Sequence, residues 1–161
     1  MRLIIFDVGL FGSESDLAYS ELFLESLLLA LTAGNVAYLR SHPNTPRLYR
    51  SGVVYRREPR GRVWHLPSHG IVFWQEPKVE EIWKNIPSLY RDGYGDCEDL
   101  ACALAAERTV KDGIPSRPVF RKRTFTRNDG KTFRLYHIRT LRSDGVIEDP
   151  SRVLGMGAED G

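Results

Sequence analysis

The segment between Tyr90 and Pro115 constrains the fold of this chain more than any other. Arg91-Asp92-Gly93-Tyr94-Gly95 is a glycine-loosened turn, and from Asp96 the sequence changes to Ala and Leu mixed with charged residues, which favours helix through about Lys111. Gly113-Ile114-Pro115 supplies a glycine stop followed by a proline. Two strand-like runs come next, 117–127 and 131–141, joined by the hairpin signal Asn128-Asp129-Gly130. A second turn at Ser143-Asp144-Gly145 leads into Val146-Ile147-Glu148-Asp149-Pro150.

Upstream, residues 3–8 read as a short strand, and residues 9–16 as a loop in which Ser15 or Asp16 caps a helix over about 17–40. That helix stops at His42-Pro43, because the residue before proline is pushed out of the α region. Residues 44–62, with two further prolines, two glycines and an arginine cluster, are expected to be irregular. Residues 71–74 read as a buried segment, 79–83 as a helical turn closed before Pro87, and 155–161 as a loose tail.

With 161 residues, 42% apolar and 11% aromatic, there is material for one domain with one sizeable core. The 23 basic and 21 acidic residues nearly cancel, so net charge nominates neither nucleic acid nor an anionic membrane as partner. Asp7 interrupts the apolar run after Arg2 before a signal-peptide core is reached, and residues 22–31 fall short of the roughly 18 apolar residues a membrane span needs. Five residues apart on one helix, Cys97 and Cys102 have poor geometry for a disulfide and read as free thiols in a reducing, cytoplasmic setting.

With Asp96 as N-cap, Cys97 is the first residue of its helix, where unpaired N–H groups and the helix dipole favour a thiolate. Asp96, Glu98 and Asp99 crowd the same turn and oppose it by charge repulsion. A cysteine nucleophile here therefore requires an imidazolium from elsewhere in the fold. His137 is the candidate: strand alternation puts it on one sheet face with Phe133 and Leu135. Asp149, twelve residues on, is the candidate for orienting the imidazole.

The turn between them decides whether they meet. A two-residue turn at Asp144-Gly145 would put Asp149 on the wrong face. A three-residue loop, with Gly145 left-handed and Arg142 facing Val146, puts Asp149 opposite Arg139 as a same-face diagonal neighbour of His137, roughly 7 to 8 Å away between backbones. The expectation is the three-residue loop.

Gly95-Asp96-Cys97-Glu98-Asp99-Leu100-Ala101, then Gly113-Ile114-Pro115-Ser116-Arg117, Tyr136-His137-Ile138 and Glu148-Asp149-Pro150-Ser151 together resemble the transglutaminase-like cysteine-hydrolase superfamily in order and spacing. The resemblance spans about 90–156. Within the superfamily, the whole chain, including Asn35-Val36-Ala37-Tyr38-Leu39 and Leu48-Tyr49-Arg50-Ser51-Gly52-Val53, is similar to small transglutaminase-like proteins of tailed phages and bacteria. It implies an α+β, papain-like fold: the nucleophile at the N-terminus of a central helix packed on an antiparallel sheet that carries His and Asp. A single domain over 1–161 is implied, with an N-terminal helical part (1–90), a catalytic core (90–156) and a tail (157–161).

The implied activity is acyl transfer on amide bonds of a peptide or protein, through a Cys97 acyl-enzyme with His137 as base and Asp149 as orienter, and without a cofactor. Cys97 N–H is the natural oxyanion donor, and Tyr90, Trp83 and Gln75 are open as the second. The alternative is an idle fold of the same class serving in virion assembly or interaction, and so virion-associated.

Other features read blandly. Cys102 is a small buried hydrophobe. His65 and His69 have helical ligand spacing, but Pro67 breaks the helix, so no metal site is expected. Trp64, Trp74 and Trp83 read as core or cleft walls. No stacking-aromatic motif accompanies the arginines of 47–62 and 117–127, so nucleic acid is not an expected partner.

Overall fold

The computed structural model describes residues 14–57, 83–126 and 132–157. It is an α+β structure with element order α1 (Glu14–Ser41), a 3-10 turn (Leu48–Arg50), β1 (Val54–Tyr55), α2 (Ile86–Asp92), β2 (Tyr94–Gly95), α3 (Cys97–Lys111), β3 (Ser116–Thr126), β4 (Thr132–Arg142), β5 (Ile147–Glu148) and α4 (Pro150–Val153). Among the described residues no helix is long and apolar enough to cross a membrane.

The centre is α3, buried without interruption from Glu98 to Glu107. Such a helix needs small residues where neighbours approach closely, and Ala101, Ala103, Ala105 and Ala106 supply them. On one side Leu100, Ala103 and Leu104 pack with Leu39, Leu48, Val53, Ile86 and Leu89. On the other, Ala101 and Cys102 pack with Leu24, Leu28, Trp83 and Ile138. The α1 residues Leu24, Leu28, Thr32, Asn35 and Leu39 are buried at spacings of three and four, one face of a helix. Asn35 accepts the Ile86 N–H at 2.9 Å, tying the start of α2 to α1.

Strands β3, β4 and β5 form an antiparallel sheet in that order, with Ser116 opposite Arg142 and Phe120 opposite Ile138. Strands β1 and β2 make a separate parallel pair, Val54 with Tyr94 and Tyr55 with Gly95.

Several local expectations change. Helix α1 is already formed at Glu14, so Ser15 and Asp16 lie inside it and do not cap it. The stretch read as irregular holds the 3-10 turn and β1, so the part up to residue 90 is not wholly helical. Pro87 sits in the first turn of α2, where a missing N–H costs nothing, behind the N-cap Asn85, whose side chain accepts the Ser88 N–H at 3.1 Å. Tyr90, Arg91 and Asp92 belong to α2, which ends at left-handed Gly93 (φ 75°). The tail is packed as far as Met156, which is buried and donates its N–H to Ser151 at 2.8 Å. The expected elements at 3–8, 71–74 and 79–82, the Asn128-Asp129-Gly130 hairpin, and His65, His69, Trp64, Trp74 and Gln75 lie outside the described residues.

Gly95 holds the approach to α3. A Cβ there would meet Leu89 Cδ1 at 2.5 Å and the Asp99 side chain at 3.0 Å. Gly95→Ala is expected to destabilise the fold by about 1 to 3 kcal/mol through overpacking, read as a lower urea midpoint at unchanged slope.

Candidate active site

Cys97 is the first residue of α3 and is partly exposed. Its helix start is fixed by Asp99, which is fully buried: one carboxylate oxygen accepts the Lys84 N–H at 2.6 Å and the other the Asp96 N–H at 3.4 Å, as in a capping box. Burial and the neighbouring Asp96 raise the Asp99 pKa well above the ordinary carboxylate value. Of the three carboxylates that crowd this turn, Asp99 is thus held toward its neutral form, which lessens its repulsion on the thiol.

A raised folded-state pKa means the native state binds the Asp99 proton more tightly than the unfolded chain does. The associated stability is present at low pH and is lost as pH rises through the folded pKa. Asp99→Asn is expected to remove that part of the pH dependence, seen as a flatter stability curve above the ordinary carboxylate range in urea titrations at several pH values.

The thiol donates to Glu98 Oε2 at 3.3 Å, and Glu98 is 2% exposed. Nearby, the buried Lys84 ammonium lies 3.5 Å from the Tyr94 ring centroid and donates to the Tyr94 carbonyl at 3.2 Å. Sequence reading missed Lys84, since nothing in its spacing marks it. Cys102 is fully buried and donates to the Leu28 carbonyl at 3.5 Å, and burial pushes its thiol pKa up. Both cysteines are free.

His137 and Asp149 meet. Strand β5 pairs with β4 as Thr140 with Glu148 and Leu141 with Ile147, and the Arg142 N–H donates to Val146 at 2.9 Å. Gly145 is left-handed (φ 87°) and donates its N–H to Arg142 at 3.0 Å. This is the three-residue loop; pairing ends at Thr140 with Glu148, and Asp149 follows as the N-cap of α4. His137 Nε2 lies 2.7 Å from Asp149 Oδ2, with both side chains mostly buried, and Asp149 also caps α4 by accepting the Arg152 N–H at 3.3 Å. With Nε2 held by the carboxylate, Nδ1 is the nitrogen left for proton transfer.

Cys97 lies level with this pair. Thr140 Oγ1 donates to the Ala101 carbonyl at 2.9 Å, while the Ser116 N–H, opposite Arg142, donates to Thr109 Oγ1 at 3.0 Å, so α3 runs alongside β4 in the same direction. Four helical residues back from Ala101 cover about 6 Å. Two strand residues back from Thr140 cover about 7 Å. Cys97 is therefore level with Ile138, and it packs on the cluster that contains Ile138.

The face of β4 that packs on α3 carries Ile138 and Thr140, both buried, and alternation puts His137 and Arg139 on the other face. No hydrogen bond joins the Cys97 thiol to the His137 imidazole; among the described residues each is bonded to its own carboxylate, Glu98 and Asp149.

Of the second-donor candidates, the Tyr90 hydroxyl donates to the Pro46 carbonyl at 3.1 Å. The Trp83 indole is 6% exposed, and its N–H has no hydrogen-bond partner among the described residues. Compared with protein-family models, curated proteins and solved structures, the chain matches none.

Proposed function

We propose that the chain is a transglutaminase-like cysteine acyltransferase or hydrolase acting on amide bonds of a peptide or protein, with Cys97 as nucleophile, His137 as base and Asp149 as orienter. The observation that carries this reading is the 2.7 Å His137–Asp149 contact beside a helix that opens on Cys97. A carboxylate bonded to one imidazole nitrogen fixes the tautomer and turns the other nitrogen into a base of defined direction. The papain-like arrangement is supported by a cysteine at the start of the central helix, histidine on the middle strand and aspartate just past the third.

Meeting of the thiol and the imidazole requires His137, which alternation puts on the face of β4 away from α3, to turn toward Cys97 when substrate binds. Pairing of β5 stops at Thr140, so the β4 edge beside His137 has no β5 neighbour, and on this reading that edge is the route by which the imidazole would turn toward the helix N-terminus. Catalytic hydrogen bonds are often long before substrate binds. In the reaction the thiol gives its proton to His137, and sulfur adds to the amide carbonyl. The imidazolium protonates the departing amine, leaving a Cys97 thioester that water or a second amine discharges. Cys97 N–H, in the helix turn that has no intrahelical acceptors, and the unpartnered Trp83 N–H serve the oxyanion.

One observation favours a second reading, a catalytically idle fold used for interaction or virion assembly: the thiol bonds to Glu98 rather than to His137. Acylation separates the two. With p-nitrophenyl acetate, the enzyme reading expects a burst of about one equivalent of nitrophenol and a single acetyl group on the Cys97 peptide, discharged by a primary amine or water and absent in Cys97→Ser. No burst, or acetyl spread over surface lysines alone, supports the idle reading.

A further inference from the structure

The face of the sheet that carries His137 also carries arginines that have no counter-ion among the described residues. Arg121 is directly opposite His137 across β3 and β4, Arg123 is two residues along from Arg121, and Arg139 is two residues along from His137, all on one face by strand alternation. Arg121 and Arg123 are exposed, and none of the three makes a hydrogen bond or ion pair among the described residues. The contrast with their neighbours is specific. Arg117 is 3.8 Å from Glu25, Arg108 is bonded to Glu148 and Asp112, and Arg142 to Asp144. Asp149 is taken by His137 at 2.7 Å and by Arg152 at 3.5 Å.

Arg139 adds a second observation. Its Nε is out of contact with solvent and has no hydrogen-bond partner among the described residues. A guanidinium nitrogen buried without an acceptor costs free energy that a bound carboxylate would recover, and the planar fork suits a carboxylate in two-pronged contact.

We propose that Arg139 and Arg121, with Arg123 beside them, bind a carboxylate of the substrate next to His137, so that the preferred acyl donor is an acidic peptide. This rests on the acyl-transfer reading for its meaning as substrate selection. The carboxylate comes from an Asp or Glu side chain or from a free C-terminus, which share the same chemistry. A peptide is favoured over nucleic acid because the surface on offer is a guanidinium pair around one histidine, not a basic stripe, in a chain whose charges nearly cancel.

The test is an NMR titration of the full chain, following the His137 ring resonances, with three blocked tetrapeptides: acetyl-tetraglutamate amide, acetyl-tetraglutamine with a free C-terminus, and acetyl-tetraglutamine amide. One or both carboxylate peptides are expected to give a saturable shift, and the amide control none. The more effective of the two identifies the source of the carboxylate. Arg121→Ala and Arg139→Ala are each expected to weaken binding at least fivefold, Arg139→Lys less, and raising the salt to 1 M, where charges are screened within about 3 Å, to weaken it further. The proposal is overturned if neither carboxylate peptide shifts His137, if the alanine variants bind as wild type does, or if a single-stranded oligonucleotide of equal charge binds this face more tightly. Because the titration does not involve Cys97, its failure is distinguishable from failure of the acylation experiment.

Discussion

His137→Ala is expected to slow acylation of Cys97 at pH 6 by about 100-fold or more, within the range removal of a positioned general base costs. The physical basis is the environment of the thiol. Glu98, buried and 3.3 Å away, holds the proton on sulfur and repels a thiolate. The helix N-terminus opposes that with a partial positive charge worth at most about 2 kcal/mol. Without an imidazole to accept the proton, the balance favours a neutral and unreactive thiol. Asp149→Asn keeps the hydrogen bond but removes the charge and allows the wrong tautomer, so a loss of the same kind is expected. Both variants are read by intact mass against time after addition of p-nitrophenyl acetate, with a folded-state check by near-ultraviolet circular dichroism.

Leu104→Ala is expected to destabilise the fold by about 2 to 5 kcal/mol. Leu104 has no exposed surface, and its cluster draws on three elements around α3: Leu39 of α1, Leu48 of the 3-10 turn, and Ile86 and Leu89 of α2. Those neighbours are anchored independently. Glu107 accepts the Leu48 N–H at 2.6 Å, and Asn35 holds the Ile86 N–H, so the site cannot collapse readily around a smaller side chain. The loss belongs at the upper part of the range, read as a fall in urea midpoint. Since typical stabilities are about 5 to 15 kcal/mol, a measurable unfolded fraction in buffer is consistent with it.

The part of the site carried by local chain geometry was legible in the sequence. Helix α3 starts at Cys97 because Gly95 and the Asp96–Asp99 capping pair announce it. The meeting of His137 with Asp149 rests on one loop: Gly145 alone is left-handed there, which excludes a two-residue type I′ turn, and the three-residue loop fixes the parity that puts Glu148 opposite Thr140 just before Asp149. Alternation also says that His137 and Ile138 lie on opposite faces. It does not say which face packs on the helix, because that depends on where α1 and α3 dock, a non-local matter settled by Thr140 on Ala101 and by the Leu24, Leu28 and Ile138 cluster. The same limit hid α2: Pro87 reads equally as a stop or as a first-turn residue until Asn85 is seen capping. The choice of Glu98 as thiol partner, the buried Lys84 and the unpartnered Trp83 N–H are rotamer-level facts that no spacing encodes.

The coupling of Cys97 to His137 is tested most directly by the rate of Cys97 alkylation by iodoacetamide, followed by intact mass from pH 5 to 9 in wild type and His137→Ala. Thiolate held by imidazolium keeps the wild-type rate nearly level below pH 7, whereas in His137→Ala the rate should fall about tenfold per pH unit below an ordinary thiol value near 8.5. Superimposable profiles, both falling in that ordinary way, would contradict the account.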